Sequence, residues 1–332
     1  MPAMERREFI RKGGKLCLGL GGLYLAGGLA SCARGGGAGE GAGGGGLNAE
    51  PGEPSPPPEV GSYPCDLAVV RGSDPAAQLR AALDAVGGME RFNLPGKRVL
   101  IKPNAAFANP PESATTTRPE LVGEMVRLCL EAGAHSVVVL DHLLTDLPEP
   151  TLDANGIGPA AREAGAQVKA YGTSRPGAAR LVEIPGATAL PRASVLQEVL
   201  DADFIIDMPK AKHHSGAVLT LSMKNLIGTL ADMGAMHRVD LHRAIAELNT
   251  VIRPGLIVLD ATSILLNRGP GGPGDIARPG EVVVGRDPVA VDSYAATLFG
   301  KKAADVPSIA HAASLGVGTT DFASLQPRRL EL

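Results

Sequence analysis

Ser136-Val137-Val138-Val139-Leu140-Asp141 and Asp203-Phe204-Ile205-Ile206-Asp207-Met208 decide the fold. Their centres are continuously apolar rather than alternating, the pattern of strands covered on both faces and so of a parallel sheet between helices. Working outward, the same reading predicts strands over 66–71, 97–102, 136–141, 167–171, 203–208, 256–260 and 281–285. Helical spacing predicts helices over 75–86, 119–133, 153–164, 241–252 and 288–299.

The expected class is α/β: a mostly parallel sheet covered by helices in Rossmann-like layers, built as one body or as two lobes. In such sheets ligands collect at the carboxyl ends of the strands. Those ends are charged here. Strand 97–102 runs into Lys102-Pro103-Asn104, strand 136–141 ends at Asp141-His142, strand 203–208 runs into Pro209-Lys210-Ala211-Lys212-His213-His214, and strand 256–260 ends at Asp260. Asp141 and Asp260 taken singly read as turn or cap residues. From Lys210 to Asn225, however, two lysines, two histidines and Lys224-Asn225 interrupt an apolar segment, which points to a functional site.

The 332 residues carry 32 Lys+Arg against 35 Asp+Glu, a net charge of −3 that implies no basic nucleic-acid face. Residues 1–32 read as an address. Arg6-Arg7-Glu8-Phe9-Ile10-Arg11-Lys12 is a twin-arginine pattern, and the apolar run Leu16 to Ala30 is too short to span a bilayer comfortably. Leu29-Ala30-Ser31-Cys32 resembles a lipobox, with Cys32 as the lipidated residue; an uncleaved N-terminal anchor is the alternative. Both readings place the rest outside the cytoplasmic membrane, on the periplasmic side. Residues 33–62 hold 11 Gly and 5 Pro with little to bury, and read as a tether before a domain over 63–332. Expected partners are the twin-arginine export machinery and a lipid membrane, the latter through Cys32.

Of four cysteines, Cys17 and Cys32 lie in the leader, leaving Cys65 and Cys129. No Cys-x-x-Cys exists, so a local iron–sulfur motif and a cysteine-rich zinc site are excluded. Cys129 falls on the apolar face of its helix and reads as core; a Cys65–Cys129 disulfide stays open.

Brought together at strand ends, Lys102, Lys210, Lys212 and Lys224, with Arg118 near a helix N-terminus and Asn104 and Asn225 beside them, form a pocket for a small carboxylate or phosphate. His213 and His214 are adjacent, so in extended chain they point opposite ways and one of them enters the site. His214 with His237 or His242 provides either a divalent-metal site or a proton-transfer pair. His213, His214 and Lys224 are the candidate catalytic residues. Gly269-Pro270-Gly271-Gly272-Pro273-Gly274 matches a dinucleotide fingerprint as text, yet its prolines and the lack of a following helix make it a turn or a loop lining the pocket. Asp287-Pro288 reads as an N-cap with proline at the first helical position.

These residues carry a resemblance. VLIKPN with TTTRPELV, DFIIDMPKAKHHSGAVLTLSMKNLIGTL, IRPGLIVLDAT, GPGGPG and GRDPVAVDSYAATLFG resemble, in order and over almost all of residues 65–325, the domain-of-unknown-function 362 (DUF362) family. Many relatives carry a ferredoxin-type cysteine module, which this sequence lacks. A fainter similarity is to the lactate racemase family, whose nickel-pincer nucleotide cofactor is held by a lysine beside histidines. Thr117-Arg118-Pro119, His214, Lys224, His237 and His242 carry it, although Leu221-Ser222-Met223 replaces the Gly-Gly before the lysine. Taken together, the expectation is a site for a small anionic ligand, in a metal- or cofactor-dependent proton-transfer or redox enzyme of oxidoreductase or racemase type, or else in a non-catalytic ligand-binding lipoprotein.

Overall fold

The computed structural model describes residues 66–332. The leader, Cys32, the tether and Cys65 lie outside the described residues. Strands β1 (Leu67–Arg71), β2 (Arg98–Pro103), β3 (Ser136–His142), β4 (Gln167–Tyr171), β5 (Ala179–Glu183), β6 (Arg192–Leu196), β7 (Phe204–Met208), β8 (Lys210–His214), β9 (Val218–Thr220), β10 (Leu256–Leu265), β11 (Ile276–Ala277), β12 (Glu281–Gly285) and β13 (Arg328–Glu331) alternate with helices. The principal helices are α1 (Pro75–Ala85), α2 (Pro119–Glu131), α3 (Pro148–Ala154), α4 (Ile157–Glu163), α5 (Gln197–Asp201), α6 (Ser222–Asn225), α7 (Leu241–Val251), α8 (Pro288–Thr297) and α9 (Pro307–Ser314).

An 11-stranded sheet runs β13-β1-β12-β10-β7-β2-β3-β4, with β8, β9 and β11 attached off that path and β5-β6 forming a separate hairpin. The five strands β10, β7, β2, β3 and β4 pair parallel, and β12 joins antiparallel to β10 and β1. Helices cover both faces, as the apolar runs require. Along β2, Val99 and Ile101 join a core with Leu121, Val122 and Met125 of α2, while Leu100 between them joins the opposite core with Ile245 and Leu248 of α7. This is the two-residue period of a strand dividing one apolar run between two layers. The layers belong to one body rather than two lobes.

Chain order reverses direction between β2 and β7: β3 and β4 extend the sheet one way, and β7 and β10 the other. Such a switch point opens a crevice at the carboxyl ends of the flanking strands. All seven expected strands form. The single helix expected over 153–164 is instead two, broken at Asn155-Gly156, where Gly156 takes a φ of +83°. Asn155 has a reason to sit there, because its side-chain amide donates to the carbonyls of Ala105 and Phe107 and so holds the loop after β2. No helix among the described residues is long and apolar enough to cross a membrane. Cys129 is a buried thiol on α2 without a disulfide partner among the described residues, its pKa pushed up to about 12 by burial.

Candidate functional site

A cavity of about 370 Å³ opens at the switch point. Its floor comes from the strand ends. Lys102, the fifth residue of β2, pairs with Asp141 of β3 at 2.8 Å and donates to Asn225 Oδ1 at 3.2 Å. Asn104 donates to the same Asn225 oxygen at 2.9 Å and accepts from the Lys212 ammonium at 2.8 Å. Lys212, on β8, also donates to the Thr115 carbonyl and lies 5.0 Å from the Phe107 ring. Phe107, Leu144, Ile227, Ala231, Met233 and Pro270 give the cavity an apolar side.

Four residues carry Lys224 into this space. Helix α6 is too short to hold itself by internal hydrogen bonds, so its ends are tied from outside. Asp292 of α8 accepts from the Ser222 and Met223 backbone N–H groups at 2.8 and 3.1 Å. Asp207 accepts from the Ser222 hydroxyl at 2.8 Å and from the Asn225 side chain at 2.7 Å, and Asn249 donates to the Met223 carbonyl at 3.1 Å. Every polar side chain of α6 is thus engaged in the fold except that of Lys224. Its ammonium makes no hydrogen bond or ion pair with any described residue and faces the cavity. Burial, then the neighbouring Lys102 charge, lowers it to about 8.

Gly228 keeps the way open above the Lys102–Asp141 pair. A Cβ there would overlap the Asp141 carboxylate and approach Lys102 Cε to 2.5 Å.

The histidines divide by role. His214 Nδ1 accepts from the backbone N–H groups of Gly216 and Ala217, both at 3.0 Å, which leaves the ring proton on Nε2. Burial and then Lys224 push His214 down to about 3, so the ring is neutral. His237 stacks on it at 6.4 Å between centroids, with the planes 12° apart, and is lowered by burial and by Lys224. His142 donates through Nδ1 to the Leu230 carbonyl at 2.7 Å, leaving Nε2 buried without a partner among the described residues.

Several expected site residues lie elsewhere. Lys210 is fully buried against Asp260 at 2.9 Å and is absent from the cavity wall; burial lowers its pKa while Asp260 pulls it back. Arg118 gives Asp260 its backbone N–H at 2.9 Å and sends its guanidinium toward Glu120. His213 points to the other side of β8, where its Nδ1 accepts the Gly269 N–H at 3.1 Å. His242 stands in the first turn of α7, away from the cavity and within electrostatic reach of His311. Of the residues that carried the lactate racemase similarity, His214, Lys224 and His237 line the cavity, whereas Arg118 and His242 do not.

No group of three or more His, Cys, Asp or Glu side chains placed to hold an ion occurs among the described residues.

Asp207, His142, Phe107 and Gly228 escaped the sequence reading as site residues. One signal was present: Asp207 is a carboxylate inside an otherwise apolar strand. Burial raises it to about 7, against the opposing pull of Lys102. Asp292 is likewise raised by burial, and its task is to hold the start of α6.

Fold and cavity define a layered α/β protein with a lysine-lined crevice at the switch point of a parallel sheet. The chain belongs to the family described as Domain of unknown function (DUF362), whose model matches residues 99–297. It is also 27% identical over 266 residues to the Thylakoid-associated protein sll1697 of Synechocystis sp. (strain ATCC 27184 / PCC 6803 / Kazusa), covering 76% of this chain and 80% of that one.

Proposed function

We propose that the cavity binds a small organic anion and that Lys224 and His214 act on it by proton transfer. The observation that carries this reading is a charge imbalance. Lys212, fully buried, and Lys224, half-buried, line one cavity, and neither has a carboxylate partner among the described residues. Burying an unpaired charge costs several kcal/mol, roughly, unless something compensates it. An anion supplies that compensation, and the apolar side of the cavity gives its carbon skeleton a place to lie. Asp141 cannot do so, because its carboxylate is held by Lys102 and by the Ala105 N–H at 2.7 Å.

The catalytic roles follow from protonation. With a pKa of about 8, Lys224 has both ammonium and amine forms available near neutrality, as a general base requires. His214 stays neutral and presents an Nε2–H donor to a developing oxyanion. Lys212 and Asn104 orient the bound anion.

The test is calorimetric titration with lactate, pyruvate and inorganic phosphate in buffers of different ionisation enthalpy. A bound anion raises the Lys224 pKa, so binding at pH 8 should take up protons, and affinity should fall as pH rises through about 8. Binding without proton uptake, or affinity that rises with pH, refutes the assignment of Lys224.

Location is part of the same proposal: export through the twin-arginine leader and attachment at Cys32, with residues 33–62 as tether. A relative named as thylakoid-associated supports a membrane-held protein. Cys32→Ala is expected to move the protein from the membrane fraction to the soluble extracytoplasmic fraction. A variant that remains with the membranes removes Cys32 as the anchor.

A further inference from the structure

We propose that Lys224 forms an imine with the keto group of an α-keto carboxylate whose carboxylate lies against Lys212 in the same cavity. This rests on the anion-site part of the reading above, names the ligand class and the bond, and for a keto acid makes Lys224 the nucleophile in place of the general base.

Three observations converge on it. First, α6 is tied through Ser222, Met223 and Asn225, so the fold does not use the Lys224 side chain, whose ammonium has no partner among the described residues. An amine nucleophile must be free in this sense, since a lysine held in an ion pair keeps its proton. Second, Lys212 and Lys224 both line the same cavity of about 370 Å³. A molecule carrying a carboxylate one bond from a carbonyl presents one group to each nitrogen. Third, His214 lies within the field of Lys224 and is fixed as the Nε2–H tautomer, a neutral donor for the carbonyl oxygen. The low pKa of Lys224, about 8, supports attack by the free amine near neutrality.

The step balances without an oxidant or reductant. The Lys224 amine adds to the keto carbon, the π pair moves to oxygen, and one proton passes from nitrogen to that oxygen. The carbon–oxygen bond of this carbinolamine then breaks, and the hydroxyl leaves as water with the second nitrogen proton. Amine and ketone thus become imine and water, with His214 hydrogen-bonded to the departing oxygen.

The experiment uses the full chain incubated with pyruvate or phenylpyruvate and sodium borohydride, followed by peptide mass spectrometry. The expected result is a near-stoichiometric adduct at Lys224, heavier by the keto acid less one oxygen. Lys224→Arg keeps the charge and should bind the anion without an adduct. Lys212→Met should lower trapping at limiting pyruvate about tenfold or more, as loss of a charge-assisted contact requires. Calorimetry on the wild-type chain separates the failures. Pyruvate that binds but is trapped nowhere, or only on surface lysines, overturns the imine and leaves the anion site standing. Phosphate binding without pyruvate binding overturns the imine alone. Absence of binding by pyruvate, lactate and phosphate overturns both.

Discussion

Lys210→Met is expected to destabilise the fold by about 3–5 kcal/mol, the cost of leaving one member of a buried ion pair alone. Both partners are fully buried, with Lys210 Nζ 2.9 Å from Asp260 and 3.3 Å from the Ser263 hydroxyl. Asp260 already accepts the Arg118 N–H at 2.9 Å and the Thr262 N–H and hydroxyl at 3.0 and 2.7 Å. Those bonds do not neutralise its charge once the ammonium is gone. Lys210→Met with Asp260→Asn removes both charges and keeps Oδ1 as acceptor for the Thr262 N–H and hydroxyl, while its amide NH2 replaces the oxygen that accepts the Arg118 N–H, so the double variant should recover part of the loss. Denaturant unfolding of the two variants measures this directly. Because Lys210 lies outside the cavity wall, the double variant should also keep wild-type anion affinity. A single variant of unchanged stability but lost affinity would return Lys210 to the ligand site.

Lys224→Met should have the opposite profile. Losing a charge-assisted contact of about 1.5–3 kcal/mol weakens anion binding roughly 10- to 100-fold. Stability at pH 7 should nevertheless rise, by about 0.5–2 kcal/mol, since a desolvated cation without a partner gives way to an apolar side chain in a partly apolar pocket. The pH dependence follows from the sign of the shift. Folding lowers Lys224 from 10.5 to about 8, so between those values the unfolded chain binds more protons and wild-type stability rises with pH. The advantage of the methionine variant is therefore full below pH 8 and fades toward pH 10.5. Paired unfolding curves at pH 7 and at pH 10 test it. An equal stability difference at both would show that the charge of Lys224 costs the fold nothing.

These two lysines, fourteen positions apart in one polar segment, show where reading the chain stops. The β-branched runs of β2, β3, β7 and β10 identify buried parallel strands, because only a strand covered on both faces is apolar without alternation. Proline at the first position of α1, α2 and α8 marks helix starts for an equally local reason, the N–H that the first turn does not use. Charge at the carboxyl ends of those strands locates the crevice. The opposition of His213 and His214 is also local, arising from the two-residue period of β8. Each of these follows from spacing over a few residues.

Partner choice does not. Lys210 and Lys212 sit two residues apart on one face of β8, and nothing near them in the chain separates them. Tertiary structure does so by bringing Asp260 from β10 to the first, and Asn104 and the Thr115 carbonyl to the second. Asp292 reaches α6 from seventy residues away, and Gly228 is needed only because the Lys102–Asp141 pair lies beneath it. Strand, helix and crevice were therefore determined by the sequence itself, through backbone preference and apolar period. Which charges are neutralised inside the fold, and which are left for a ligand, was decided only in three dimensions, because a charge is compensated by whatever carboxylate the fold places within about 3 Å, however distant in the chain.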